Sequence, residues 1–259
     1  MNTVTWGAVA QGCTLYNHFM FVGGTNWDAL GCPCVCTSYD YAAPVREWGG
    51  LSAQYTAAKQ IAHQIIALEE WLTVTEPADD VTADDPALLH RVLASGDARL
   101  VFLRNLSTTA QATGLTIEGR QIPPVEVTPG DTRLVVFHVQ KGQVRLSFCS
   151  APLFAWQVDE NEQRMVFTGP GLVVWRAPEA PMIQKNDVGA WWNGERLIVN
   201  YEGHSRQELV LAHHGVTVKA TFLPDASKVW LVDGELIVGP DFVGQKRNSQ
   251  LTVYHEAQS

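Results

Sequence analysis

The chain has 259 residues, enough to bury a substantial core in one to three domains. Hydrophobic residues at 46% and charged residues at 17% fit a soluble globular protein, and a net charge of −9 argues against nucleic acid as a partner. No apolar run approaches the roughly 20 residues that a membrane helix needs, and the residues after Met1 show no secretory signal.

Residues 1–14 carry a few apolar positions without a clear period. Leu15 to Val22 is apolar on both faces and too short for a helix, so it predicts a strand buried on both sides. Gly23-Gly24 ends that run where the backbone must bend or approach something closely. The stretch from Thr25 to Gly49 then concentrates polar and aromatic groups, including Asn26, Trp27, Tyr39, Asp40, Tyr41 and Trp48. Beyond Pro44, Ser52 can cap a helix. Tyr55, Ala58, Ile61, Ala62, Ile65, Leu68 and Leu72 follow at three- and four-residue steps, the pattern of one inward-packed face.

Residues 76–87 are acidic and hold two prolines, which reads as an exposed linker. From Leu88 to the end, short β-branched runs alternate with Gly, Pro, Asn and Asp. They predict an all-β region, sandwich-like or barrel-like, with a hairpin turning at Asp233-Gly234.

The five cysteines, Cys13, Cys32, Cys34, Cys36 and Cys149, include a C-x-C-x-C run. Zinc sites space their ligands by two to four residues and bring a second pair, which this chain lacks. Alternation puts the three sulfurs on one face of an extended segment, where cysteine packs as a small hydrophobe, so no metal is expected. No P-loop, dinucleotide-binding glycine pattern, G-x-S-x-G elbow or zinc-protease helix is present, and no cofactor is implied. His63 and His138 read as surface or core residues, Glu69-Glu70 as solvent-facing, and Asp159, Glu160 and Glu162 as a turn. The stretch 25–49 differs because its side chains suit a sugar: tyrosines offer flat faces and hydroxyls, while Asn26 and Asp40 can hold hydroxyl pairs. A core aromatic cluster fits that composition equally well.

The order of residues narrows the reading. NHFMFVGGTNW followed by TSYDYAAPVREWG resembles the end of the catalytic barrel in glycoside hydrolase family 35, the β-galactosidase family. There the pattern is Asn-x-Tyr-Met-x-x-Gly-Gly-Thr-Asn-Phe, then Thr-Ser-Tyr-Asp-Tyr-Asp-Ala-Pro. The match is closest at Gly23 to Asn26 and at Thr37 to Tyr41. Three departures stand out: Phe19 replaces a sugar-side tyrosine, Ala42 replaces an aspartate, and the segment between the motifs holds Cys32, Cys34 and Cys36.

The resemblance implies an α/β part followed by an all-β part. Residues 1–75 become the end of a (β/α)8 barrel, with its last strand at 15–22 and its last helix at 52–73. Residues 76–87 are the linker, and 88–259 are antiparallel β-sandwich-like domains, in one or two subdomains. By position, Tyr39 and Tyr41 contact galactose, with Asn26 and Asp40 in support. Family members are retaining exo-galactosidases whose two catalytic glutamates lie on earlier strands, roughly 5 Å apart. No glutamate precedes residue 15. The resemblance therefore implies no catalytic residue in this chain, a missing N-terminal barrel portion, a β-galactoside-containing oligo- or polysaccharide as substrate, and no activity for the chain alone. Family members are often exported or lysosomal, and the compartment of this one is open. Two other readings remain at this point: a non-catalytic carbohydrate-binding or structural remnant, and a related β-glycosidase acting on a glucosaminide or glucoside.

Overall fold

The strand Thr132–Lys141 carries Leu134 and Val136 on one face and Val135 and Phe137 on the other, and all four are buried. A strand apolar on both faces must lie between two layers. This one does, in a computed structural model that describes residues 2–27, 36–213, 215–245 and 251–254. It belongs to a sheet of eight strands that runs, edge to edge, through Glu76–Ala78, Leu89–Ser95, Ala98–Arg104, Thr132–Lys141, Val144–Cys149, Gly171–Arg176, Arg196–Tyr201 and Trp191–Trp192.

One face of this sheet meets a five-stranded sheet, ordered Met182–Asn186, Gln207–His213, Val216–Leu223, Glu162–Thr168, Leu153–Val158. Leu146, Val173 and Leu197 from the first sheet pack with Met165, Leu209 and Phe222 from the second, as in a β-sandwich. The other face is partly covered by a three-stranded sheet, Val81–Ala83, Gln111–Ile117 and Arg120–Val127. Leu115, Val125 and Val127 meet Val101, Val135 and Phe137 there. Pairing is antiparallel throughout except between Glu162–Thr168 and Val216–Leu223, which run parallel.

The expected hairpin forms at Asp233-Gly234, between Val229–Val232 and Glu235–Val238. Both turn residues have positive φ, 49° and 83°, the condition of a two-residue type I′ turn.

Two helices precede the sheets, α1 (Asn2–Val9) and α2 (Ala53–Leu72). Of the periodic residues read from Tyr55 to Leu72, Ala58, Ile61 and Leu68 are buried, while Ala62 is exposed. Ser52 holds the extended N-cap position, but its hydroxyl donates to the Ala43 carbonyl at 3.2 Å instead of capping.

Three features differ from the sequence reading. Residues 2–9 are helical, with Trp6 buried against Phe102. Residues 15–22 form no strand: Val22 makes a single parallel bridge to Val45, and Leu15 and Phe19 are 87% and 89% exposed. A parallel strand needs partners along its edges, and this segment has one bridge. Within the acidic stretch 76–87, Glu76–Ala78 and Val81–Ala83 add edge strands to two different sheets.

The sandwich interior offers a direct test of where stability resides. Phe222 is fully buried, stacked on Phe167 with ring centroids 4.9 Å apart. Phe222→Ala should cost about 3–5 kcal/mol in urea unfolding. A loss below about 1 kcal/mol would mean that the two sheets do not share one cooperative core.

Candidate functional site

Residues 15–27 and 36–52 are held to one another by single bridges and side chains. Gly23 N–H donates to the Val45 carbonyl at 2.7 Å, and Val45 N–H to Phe21 at 3.0 Å. Thr25 bridges Ser38 antiparallel, with Tyr39 N–H donating to Gly24 at 2.9 Å and Asn26 N–H to Thr37 at 2.6 Å.

The glycine pair is where the chain folds back on itself. A Cβ at Gly23 would lie 2.2 Å from the Asp40 carboxylate and 3.0 Å from the Asp40 Cα. A Cβ at Gly24 would lie 2.2 Å from the Tyr39 ring. Asp40 and Tyr39 therefore seat directly on the two glycines: a side chain at Gly23 would also press on the backbone of Asp40 and Glu47, and one at Gly24 would push the Tyr39 ring aside.

Charged groups lock the arch. Asp40 pairs with Arg46 at 2.7 Å and accepts the Glu47 N–H at 2.9 Å with its other oxygen. Glu47 accepts from Thr25 at 2.8 Å and from Ser38 at 2.9 Å. Asn26 donates its amide to the Cys36 carbonyl at 2.7 Å. The sequence reading singled out Asn26 and Asp40 as hydroxyl-binding groups; in this structure both are engaged within the loop. It missed Arg46 and Glu47, which lie in the same motif and do the fastening.

Tyr39 and Tyr41 sit on either side of Asp40. Tyr39 is half-buried over Gly24, whereas Tyr41 is 67% exposed. Tyr41 and Ala42 both have left-handed backbones, with φ of 43° and 57°, and Ala43 N–H closes the turn onto the Asp40 carbonyl at 2.7 Å. This is a type I′ geometry carried by two residues with side chains, and the left-handed region costs each about 1–2 kcal/mol. The strain presents Tyr41 to solvent. Trp27 and Trp48 are exposed as well, at 83% and 78%. Cys36 is exposed and free; Cys32 and Cys34 lie outside the described residues. No group of three metal-ligating side chains occurs among the described residues.

Behind the loop, Tyr16, His18 and Phe21 face Tyr55, Lys59 and His63 of α2 across a cavity of about 440 Å³. Lys59 lies 3.8 Å from the centre of the Trp230 ring and donates to the Ser227 carbonyl at 3.0 Å. Burial pulls its pKa down to about 8, with Asp225 opposing. His63 stacks on Phe154 at 4.1 Å, and burial, then the charge of Lys59, lowers its pKa.

Residues 3–65 match glycosyl hydrolases family 35. The chain is 26% identical over 253 residues to a probable beta-galactosidase B of Aspergillus fumigatus, covering 86% of this chain and 24% of that protein. It is 33% identical over 138 residues to beta-galactosidase 8 of Arabidopsis thaliana, covering 51% of this chain and 16% of that one. It is 24% identical over 222 residues to beta-galactosidase A of Aspergillus oryzae, covering 77% of this chain and 22% of that one. The chain thus spans about a quarter, or less, of the length of the curated relatives it matches. No helix among the described residues is long and apolar enough to cross a membrane.

Two outcomes follow from these local geometries. Ala42→Asn should stabilise the turn by about 0.5 kcal/mol, because asparagine tolerates the left-handed region better than alanine. Hydrogen exchange at the Ala43 amide reads it: exchange should slow, and faster exchange would contradict the strain. For Lys59, the folded pKa of about 8 lies below the ordinary 10.5. The unfolded chain therefore binds the extra proton between those values, and stability should rise as pH rises from about 8 to 10. Solvent screening of a half-buried ammonium limits the gain to about 1 kcal/mol. Urea unfolding of Lys59→Met across that range should lose this rise, and an identical slope in the variant would assign it to another group.

Proposed function

We propose, on the premise that this chain belongs through residues 3–65 to glycosyl hydrolases family 35, that it is the C-terminal piece of a longer retaining β-galactosidase. In this reading residues 1–75 complete the end of a (β/α)8 barrel, 76–87 lead from it and add edge strands to two of the sheets, and 88–259 form the rest of the β-rich part. The observation that carries it is the loop at Gly23-Gly24, which seats Tyr39 and displays Tyr41. Two further features support it. The relatives named beta-galactosidases are about four times or more as long as the matched stretch. Leu15, Phe19 and Val22 leave their apolar side chains in solvent, at 87%, 89% and 58% exposure. Those side chains are what a neighbouring barrel strand would cover.

The division of labour follows from the chemistry. A retaining glycosidase needs one carboxyl as acid/base and a second as nucleophile, roughly 5 Å apart. In the proposal both come from the upstream barrel. Tyr39 and Tyr41 supply ring faces and hydroxyls to the terminal galactose. Asp40 and Asn26 act by holding the loop in shape, Asp40 through Arg46 and Glu47, Asn26 through Cys36. With Phe19 in place of the family tyrosine, one hydroxyl contact is absent.

The chain purified alone should not hydrolyse nitrophenyl β-galactoside. In the longer protein, Tyr41→Phe and Tyr39→Phe should each lower kcat/KM by roughly tenfold, the worth of one hydrogen bond to a sugar hydroxyl. Turnover by the chain alone that survives repurification, or unchanged kcat/KM in both variants, would overturn the reading.

A further inference from the structure

The three-stranded sheet leaves part of the large sheet bare. Its edge strand, Arg120–Val127, stops short of the strands Gly171–Arg176, Arg196–Tyr201 and Trp191–Trp192. Between them lies a groove of about 860 Å³, with Pro123 and Pro124 on one wall and Trp191 and Asn193 on the other. A second hollow of about 180 Å³ continues it along the same edge strand, and the two share Pro123, Leu172, Val174 and Arg196. The depression is elongated, and its wall runs from Arg120 to Thr128.

Register determines the floor. Phe137, Phe148, Val174, Ile198 and Trp191 stand opposite one another across five successive strands. One apolar row therefore passes from the covered core out to an indole that is 48% exposed. Asn200 and Arg196 flank Ile198 two residues to either side, so they share its face.

Arg133 supplies the polar side. It lies on the same face as Val135 and Phe137 and lines the groove. Its guanidinium donates to the Pro170 carbonyl, while its Nε is buried without an acceptor. Glu126 and Asp131 act on it through space. A guanidinium has five N–H donors, and leaving them unmet away from water is costly. Over the whole groove the charges cancel, Arg133 and Arg196 against Glu126 and Glu202.

A long groove without net charge, with a flat indole, side-chain amides and underused guanidinium donors, has the chemistry of a sugar chain. A pyranose has an apolar face for stacking and hydroxyl edges that accept from arginine and pair with amides. We propose that this groove binds a linear, neutral oligosaccharide along the edge strand Arg120–Val127, with one ring stacked on Trp191. Its hydroxyls accept from Arg133 and Arg196 and pair with Asn193 and Asn200. This second sugar site rests on the β-region alone and does not use the loop at Tyr39 and Tyr41.

The test is calorimetric titration of the full chain with neutral tetrasaccharides of β-1,4-galactan and of cellulose, beside an oligogalacturonate of equal length. At least one neutral tetrasaccharide should bind, and the acidic one should bind more weakly. Trp191 and Asn200 are exposed, so their variants should fold, as circular dichroism can verify. Trp191→Ala should weaken binding by about tenfold or more and Asn200→Ala by about threefold. Met182→Ala, exposed on the edge of the five-stranded sheet and outside both hollows, should leave binding unchanged, which ties the loss to the groove. No binding of either neutral sugar, preferential binding of the acidic oligomer, or undiminished binding by Trp191→Ala would overturn the proposal. Loss of binding in Met182→Ala equal to that in Trp191→Ala would overturn it too.

Discussion

The aromatic seam along α2 ties the N-terminal stretch to the sheets. Trp71 stacks on Trp156 at 5.8 Å, His63 on Phe154 at 4.1 Å, and Tyr55 and Lys59 both reach Trp230. On a neighbouring side, Ile61 and Leu68 enter the sandwich core together with Trp6 of α1. The helix is preceded at its N-cap by Ser52, whose hydroxyl donates to the Ala43 carbonyl at the base of the tyrosine turn. The loop is thus fixed to the β-region through one rigid element. The family match ends at residue 65, inside this helix, so the matched segment and the sheets share a continuous packing unit.

That arrangement explains how a loop with few backbone bridges keeps a defined shape. Its order comes from two glycines that admit Asp40 and Tyr39, and from a carboxylate relay through Arg46 and Glu47. The polar residues in the motif hold the turn, which leaves the tyrosines to face outward. The two left-handed residues, Tyr41 and Ala42, are the cost of that display.

Much of the β-region was legible because strand signals are local. The runs RQIPPVEV and VTVKATFL coincide with the strands Arg120–Val127 and Val216–Leu223. The Asp-Gly turn had its own chemistry. Helix α2 was legible from its period. Helix α1 was not, since its Thr, Val and Gly residues are poor helix formers and burial of Trp6 decides the matter. The segment 15–22 misled because an apolar run reports what wants covering, not whether a partner is there to cover it. The edge strands at 76–78 and 81–83 were hidden because each is three residues long and the acids around them, all but Glu76 outside the strands, dominate the local pattern. At the loop, the positions of Tyr39 and Tyr41 were visible in the motif, but the roles of Arg46 and Glu47 depend on a fold-back that only the glycine contacts reveal. The groove beside Trp191 depends on sheet order across strands distant in sequence, which no local pattern encodes.

The central claim is that this loop and helix are completed by a catalytic barrel on the same polypeptide. An antibody raised against residues 88–259, followed by intact-mass measurement of the protein it captures from the native source, tests this most directly. The captured polypeptide is expected to exceed this chain by about 250–350 residues, the size of the rest of a barrel. A captured product of 259 residues would contradict it.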